Sequence, residues 1–192
     1  MENEAPKAVK ALHMEISCHL TVANMEAEDF EDAMYFLNCA SDQNLDSFSK
    51  LRYLRAAVVF FCACMDAWVA RKTETVLIKN ENELNDDEKK LLCVLRTPGQ
   101  EIPGQGVMWK VLAKYSQLSD EQKRTMKSLY KKWQPIKEYR DSFIHYAQRN
   151  FPEHYDDAAI MTLICEAPKY IGQAIGVCDD FKTYSWYRNA MS

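Results

Sequence analysis

Residues 46–78, "DSFSKLRYLRAAVVFFCACMDAWVARKTETVLI", decide the fold. Leu51, Leu54, Val58, Phe61, Met65 and Trp68 recur at helical spacing and form an apolar stripe, with Val59, Cys62 and Val69 beside it. The spacing predicts one long helix from about Asp46 to Ile78. Asp66 stands in its most apolar part, on or beside the buried face.

Working outward, the same periodicity continues. After Pro6, the residues Val9, Leu12, Ile16, Leu20 and Ala23 read as a helix. Residues 27–40 read as a turn-rich stretch carrying Phe30, Met34 and Leu37. Downstream, 79–90 is a polar break, and a short helix follows through "EKKLLCVLR". "TPGQEIPGQG" at 97–106 is a loop. It is not a phosphate loop, because it lacks the G-K-[ST] ending and no strand precedes it. A helix through "VMWKVLAKYSQL" comes next. Ser119 and Gln122 then form a capping box that opens a further helix. Pro135 either kinks that helix or marks a new start near Gln134. "NFPEHYDD" breaks the chain and "AAIMTLICE" is a short helix. Pro168 opens the last helix, through Ile171, Ile175, Cys178 and Phe181. No strand alternation of useful length occurs. The expected fold is all-α, an antiparallel up-and-down helical bundle with additional short helices. It forms a single domain over 1–192, with 1–45 as an N-terminal helical extension packed on the bundle.

Composition agrees. Of 192 residues, 47% are hydrophobic and only 5 are Gly, which fits a globular chain poor in turns. No uninterrupted apolar run approaches ~18 residues, so no membrane span is expected. "MENEAPKAVK" lacks the basic-then-apolar order of a signal peptide. The 7 Cys are scattered through apolar stretches and read as reduced core residues of a cytoplasmic protein. Cys62 and Cys64 lie about 200° apart on a helix and cannot face one metal. The net charge is −4, but it is uneven. Residues 1–50 hold 3 Lys/Arg against 10 Asp/Glu, and residues 107–150 hold 10 against 4. The basic segment is either an anion-binding face or a face that docks on the acidic helices around Glu26, Glu28, Asp29, Glu31 and Asp32.

The chemistry concentrates in "EYRDSFIHYAQR", residues 138–149. Trp133, Ile136, Arg140, Phe143, Ile144 and Ala147 share one side of a helix, so Arg140 interrupts an apolar stripe. Its guanidinium cannot lose its proton and needs a partner. Asp66 is the carboxylate placed to supply one, as a buried pair whose single removal would cost about 3–5 kcal/mol. That pair alone is explained by helix register. His145, five residues on, adds a proton carrier near neutral pH beside a phosphate clamp. Lys123, Lys127 and Lys131 precede the motif at i, i+4 spacing and form one basic ridge.

Arg140-Asp141-Ser142-Phe143-Ile144-His145, with Asp66 on an earlier apolar helix, resembles the Arg-x4-His signature of the HEPN superfamily (higher eukaryotes and prokaryotes nucleotide-binding) over residues 46–190. The resemblance implies a helical bundle and a metal-independent endoribonuclease of a toxin or defence system. Its active site would be built across a homodimer, through a two-fold contact around residues 136–150. It implies Arg140 and His145 as catalytic residues, with Asp66, Asp141 and Tyr146 supporting. RNA would be the substrate, guided by Lys123, Lys127 and Lys131, and an antitoxin or regulatory protein would be a further partner. Members regulated by tyrosine adenylylation carry His-x-Tyr, whereas here Tyr146 follows His145 directly, so that regulation is not carried over. No metal or other cofactor is expected, since the chain has no H-E-x-x-H, no paired E-x-x-H and no C-x-x-C. The competing reading is a non-catalytic helical module that binds a nucleotide or a protein, with Arg140 and His145 structural.

Overall fold

A computed structural model describes residues 25–97, 99–100, 103–144, 157–178 and 184–191. Its helices are α1 (Met25–Ala40), α2 (Ser47–Lys79), α3 (Asp86–Arg96), α4 (Gln105–Tyr115), α5 (Asp120–Ile144), α6 (Asp157–Ile164), α7 (Ala167–Cys178) and α8 (Ser185–Ala190). A 3₁₀ turn at Glu81–Glu83 joins α2 to α3. Among the described residues there is no strand, and the fold is an all-α bundle.

The long apolar helix is the centre of that bundle. Asp46 caps it, accepting from the Ser49 N–H at 2.9 Å and the Ser49 hydroxyl at 2.7 Å. Leu51, Leu54, Val58, Phe61, Met65 and Trp68 are all buried, and so are Cys62 and Cys64 on opposite sides. A helix buried on two sides must be covered on both, and α2 is packed by α1, α3, α4, α5, α6 and α7. By length and composition α2 could cross a membrane, although no such span is expected from uninterrupted runs. Half of its most apolar stretch is buried against the other helices.

Capping fixes several helix starts. Ser119 N–H donates to Gln122 Oε1 at 2.9 Å and Gln122 N–H to Ser119 Oγ at 3.2 Å, so the expected capping box opens α5. α5 then runs through Pro135 as one helix. At α3 an unforeseen box pairs Asn85 with Glu88.

Other expectations need correction. The 27–40 stretch is helical, because Ala27, Phe30, Ala33 and Leu37 bury one face on α2. The chain also adds α8, where Trp186 and Tyr187 close on Phe30 at 5.2 and 5.3 Å. Cys93 and Cys165 are exposed, not core. The helix expected over Val9–Ala23, and Cys18 within it, lie outside the described residues.

Glu88 ties α3 to α4. It accepts from the Tyr115 hydroxyl at 2.6 Å, from Lys114 Nζ at 2.7 Å and from the Asn85 N–H at 2.9 Å. Burial acts to raise its pKa, but the three donors outweigh burial and leave it below the ordinary value. A carboxylate depressed in the folded state stabilises above its unfolded pKa, and that contribution disappears as pH falls through the folded value. Glu88→Gln should therefore lower the melting temperature at pH 7, with the gap to wild type closing as the pH falls through the folded pKa of Glu88. Melting curves across that range check it, and a gap independent of pH would contradict the assignment.

Candidate functional site

α5 carries Trp133, Ile136 and Tyr139 into the core, and Arg140 follows on the same turn. Its guanidinium reaches α2, where Nη1 donates to Asp66 Oδ2 at 2.8 Å. Nε and Nη2 donate to Asp141 Oδ1 at 2.9 and 2.8 Å. Three of its five N–H groups are thus spent on two carboxylates. Lys137, one turn earlier, donates to the other Asp141 oxygen. Gln105, in the first turn of α4, donates its amide N–H to Asp66 Oδ1. One carboxylate on α2 therefore gathers α4 and α5.

Burial differs from the sequence expectation. The Arg140 side chain is 17% exposed, but Asp66 is 38% exposed. Asp66 therefore lies at the rim of the core. Ile144 is also off the apolar stripe and is 53% exposed. Phe143 keeps to the stripe, packing edge-on against Tyr139 at 5.3 Å.

Electrostatics follow the contacts. Burial would raise the Asp141 pKa, but its bonds to Lys137 and Arg140 prevail and hold it below the ordinary aspartate value. Burial alone would ease the proton off Arg140; its bonds to Asp141 and Asp66 reverse that and hold it more firmly. Cys62, one turn before Asp66, is pushed up to about 12 chiefly by burial, so it stays a thiol.

Beside this cluster a groove of about 990 Å³ opens between α4 and α5. Lys123, Lys127 and Lys131, the expected ridge, line it from α5, together with Lys137 near the cluster. Lys110 lines it from α4. Only Glu138 brings a negative charge to the lining. Gln105 and Lys137 belong both to the groove and to the cluster, so the groove ends where Asp66 and Asp141 are held. Lys123 sits 3.9 Å from Asp120, whereas Lys110, Lys127 and Lys131 have no ion-pair partner among the described residues. The acidic residues of α1 are elsewhere: α1 packs on α2 and α8, and Glu26 bonds Arg71 at 2.9 Å. The basic ridge does not dock on them.

His145 and Tyr146 lie outside the described residues. Gln105, Lys110, Lys137 and the groove rings Trp109 and Tyr130 went unnoticed in the sequence. Only Lys137 left a usable signal there, its i, i+4 spacing to Asp141. No protein-family model, characterised protein or solved structure matches this chain.

The half-open pair lowers the expected cost of breaking it. Asp66→Ala should destabilise by about 1–2 kcal/mol, since Asp141 still neutralises Arg140. Arg140→Ala should cost more, about 2–4 kcal/mol, because it leaves two carboxylates facing only Lys137 and Gln105. The double variant should lose less than the sum of the two. Urea unfolding of the three variants checks this, and strict additivity would show that the two side chains do not interact.

Proposed function

We propose that this protein is a HEPN-like endoribonuclease that binds single-stranded RNA along the α4–α5 groove and cuts it without a metal ion. The observation that carries the reading is the groove itself. A row of lysines leads along α5 to an arginine held in place by two carboxylates. Helix rise separates Lys123, Lys127 and Lys131 by about 6 Å each, a step commensurate with successive phosphates of an unstacked strand. Their charges attract the backbone, and Arg140 is oriented before RNA arrives.

In the proposed reaction a ribose 2′-hydroxyl loses its proton and its oxygen attacks the adjacent phosphorus. The phosphorane collapses to a 2′,3′-cyclic phosphate, and the 5′-oxygen leaves with a proton. His145, the residue after α5, would move protons. Arg140 would stabilise charge on the phosphorane through its remaining N–H groups. Asp66 and Asp141 hold Arg140 and do not react. The motif's single His145 serves one proton transfer, so a homodimer joined around residues 136–150 would supply base and acid.

A second reading rests on the same contacts. Asp66 and Asp141 already neutralise Arg140 and Lys137, which suits a groove that binds RNA without cutting it.

Incubation with mixed RNA in excess chelator separates the two. Cyclic-phosphate ends should accumulate with wild type and vanish with His145→Ala, which should still bind. Lys127→Glu with Lys131→Glu should weaken binding without moving the cut site. Lys110, Lys123, Lys127 and Lys131, the groove lysines outside the Arg140 cluster, predict a log-affinity against log-salt slope of about −3. Salt-dependent binding with no cyclic ends would leave only the binding reading, and no RNA affinity at all would overturn both.

A further inference from the structure

Behind the α4 wall of the groove lie two buried polar atoms with no hydrogen-bond partner among the described residues. Gln105 is 3% exposed and Trp109 is 5% exposed. Gln105 spends its amide N–H on Asp66, which fixes the amide, and its Oε1 has no partner. Trp109 Nε1 has none either. Both atoms are closed off from the groove as well as unpartnered, so its occupant meets the ring and the lysines rather than these atoms. They stand at i and i+4 on one face of α4, an acceptor and a donor about 6 Å apart along the helix.

The opposite wall offers a ring. Tyr130 of α5 is half-exposed and lies 5.9 Å from the Trp109 ring, tilted by 42°. Its hydroxyl comes so close to Gly106 that an added Cβ would meet it at 2.8 Å. Glycine at that position is what lets the ring lie against α4.

We infer that this part of the groove seats an RNA base, stacked on the Tyr130 ring beside the lysine ridge. A nucleobase is a flat ring that stacks on an aromatic face while its phosphates meet flanking lysines, which is what this groove offers. The lysine ridge alone holds any polyanion, whereas the seat requires a base that is free of a duplex. The inference rests on the RNA reading above and adds what the groove recognises.

The test uses full-length protein and two labelled strands of equal length. One is 2′-O-methyl RNA, which cannot cyclise, and the other is the same backbone without bases. Wild type should bind the base-bearing strand about tenfold more tightly. Tyr130→Leu should bring that ratio close to one while leaving affinity for the abasic strand unchanged. Gly106→Ala, a substitution compatible with a helix, should reduce the ratio by displacing the ring, and it guards against a misfolded Leu variant. Lys127→Glu should weaken both strands alike and leave the ratio intact. Equal affinity of wild type for the two strands overturns the base seat and leaves the RNA reading standing. A ratio unchanged in both the Tyr130 and Gly106 variants also overturns the seat. Failure of either strand to bind overturns the seat and the RNA reading together.

Discussion

A single carboxylate in an apolar helix is the constraint on which the site depends. Asp66 cannot be left without donors at the edge of a core, and the chain answers with two helices. Gln105 comes from the first turn of α4, and Arg140 from the last turns of α5. Because both converge on one residue of α2, the ends of α4 and α5 are registered against each other. The groove between them inherits its closed end from that register. Asp141 and Lys137 extend the arrangement outwards, so Arg140 is held on two sides while a face of the cluster stays open to solvent.

Charge is divided along the groove in a way that separates attraction from orientation. Around Arg140 two carboxylates meet two cations, so the cluster is close to neutral. Further along, Lys110, Lys127 and Lys131 have no ion-pair partner among the described residues. A polyanion would be drawn to the lysines, while the arginine keeps its geometry whether or not a ligand is present. Pairing reduces the net pull of Arg140 on a phosphate but also the entropy lost in positioning it.

Much of this was legible in the sequence, for identifiable reasons. The stripe of α2 is a periodicity, and the Ser119–Gln122 box is a local pattern, so both could be read without tertiary knowledge. The Asp66–Arg140 pair was legible because an unpaired arginine in an apolar stripe is too costly to stand alone. The exposure of Asp66 was not, since it depends on where neighbouring helices stop. Ile144 failed for a related reason: it is the last residue of α5 and is 53% exposed among the described residues. Gln105 was invisible because it falls in the Pro- and Gly-rich stretch 97–106, read as a loop although α4 starts at Gln105, and because its partner is 39 positions away. The short α8 gave too few turns for a period, and the aromatic contacts that hold it are long-range.

Two glycines distinguish a packing device from a binding surface. Gly172 of α7 receives Tyr187, and Gly106 of α4 receives Tyr130; in each case a Cβ would strike the tyrosine. Glycine inside a helix costs up to about 1 kcal/mol relative to alanine, so each approach must be worth that loss. At Gly172 the return is structural, because the Tyr187 hydroxyl donates to the Pro168 carbonyl at 3.2 Å and pins α8 to the bundle. Tyr130 is brought in by the same means, yet its hydroxyl has no hydrogen-bond partner among the described residues, and its ring borders the open groove. A tyrosine placed at the cost of a glycine but left without a bond gains little for the fold beyond apolar contact, which a leucine would provide. That leaves the partly exposed ring available to the groove, where the base seat proposed above would use it.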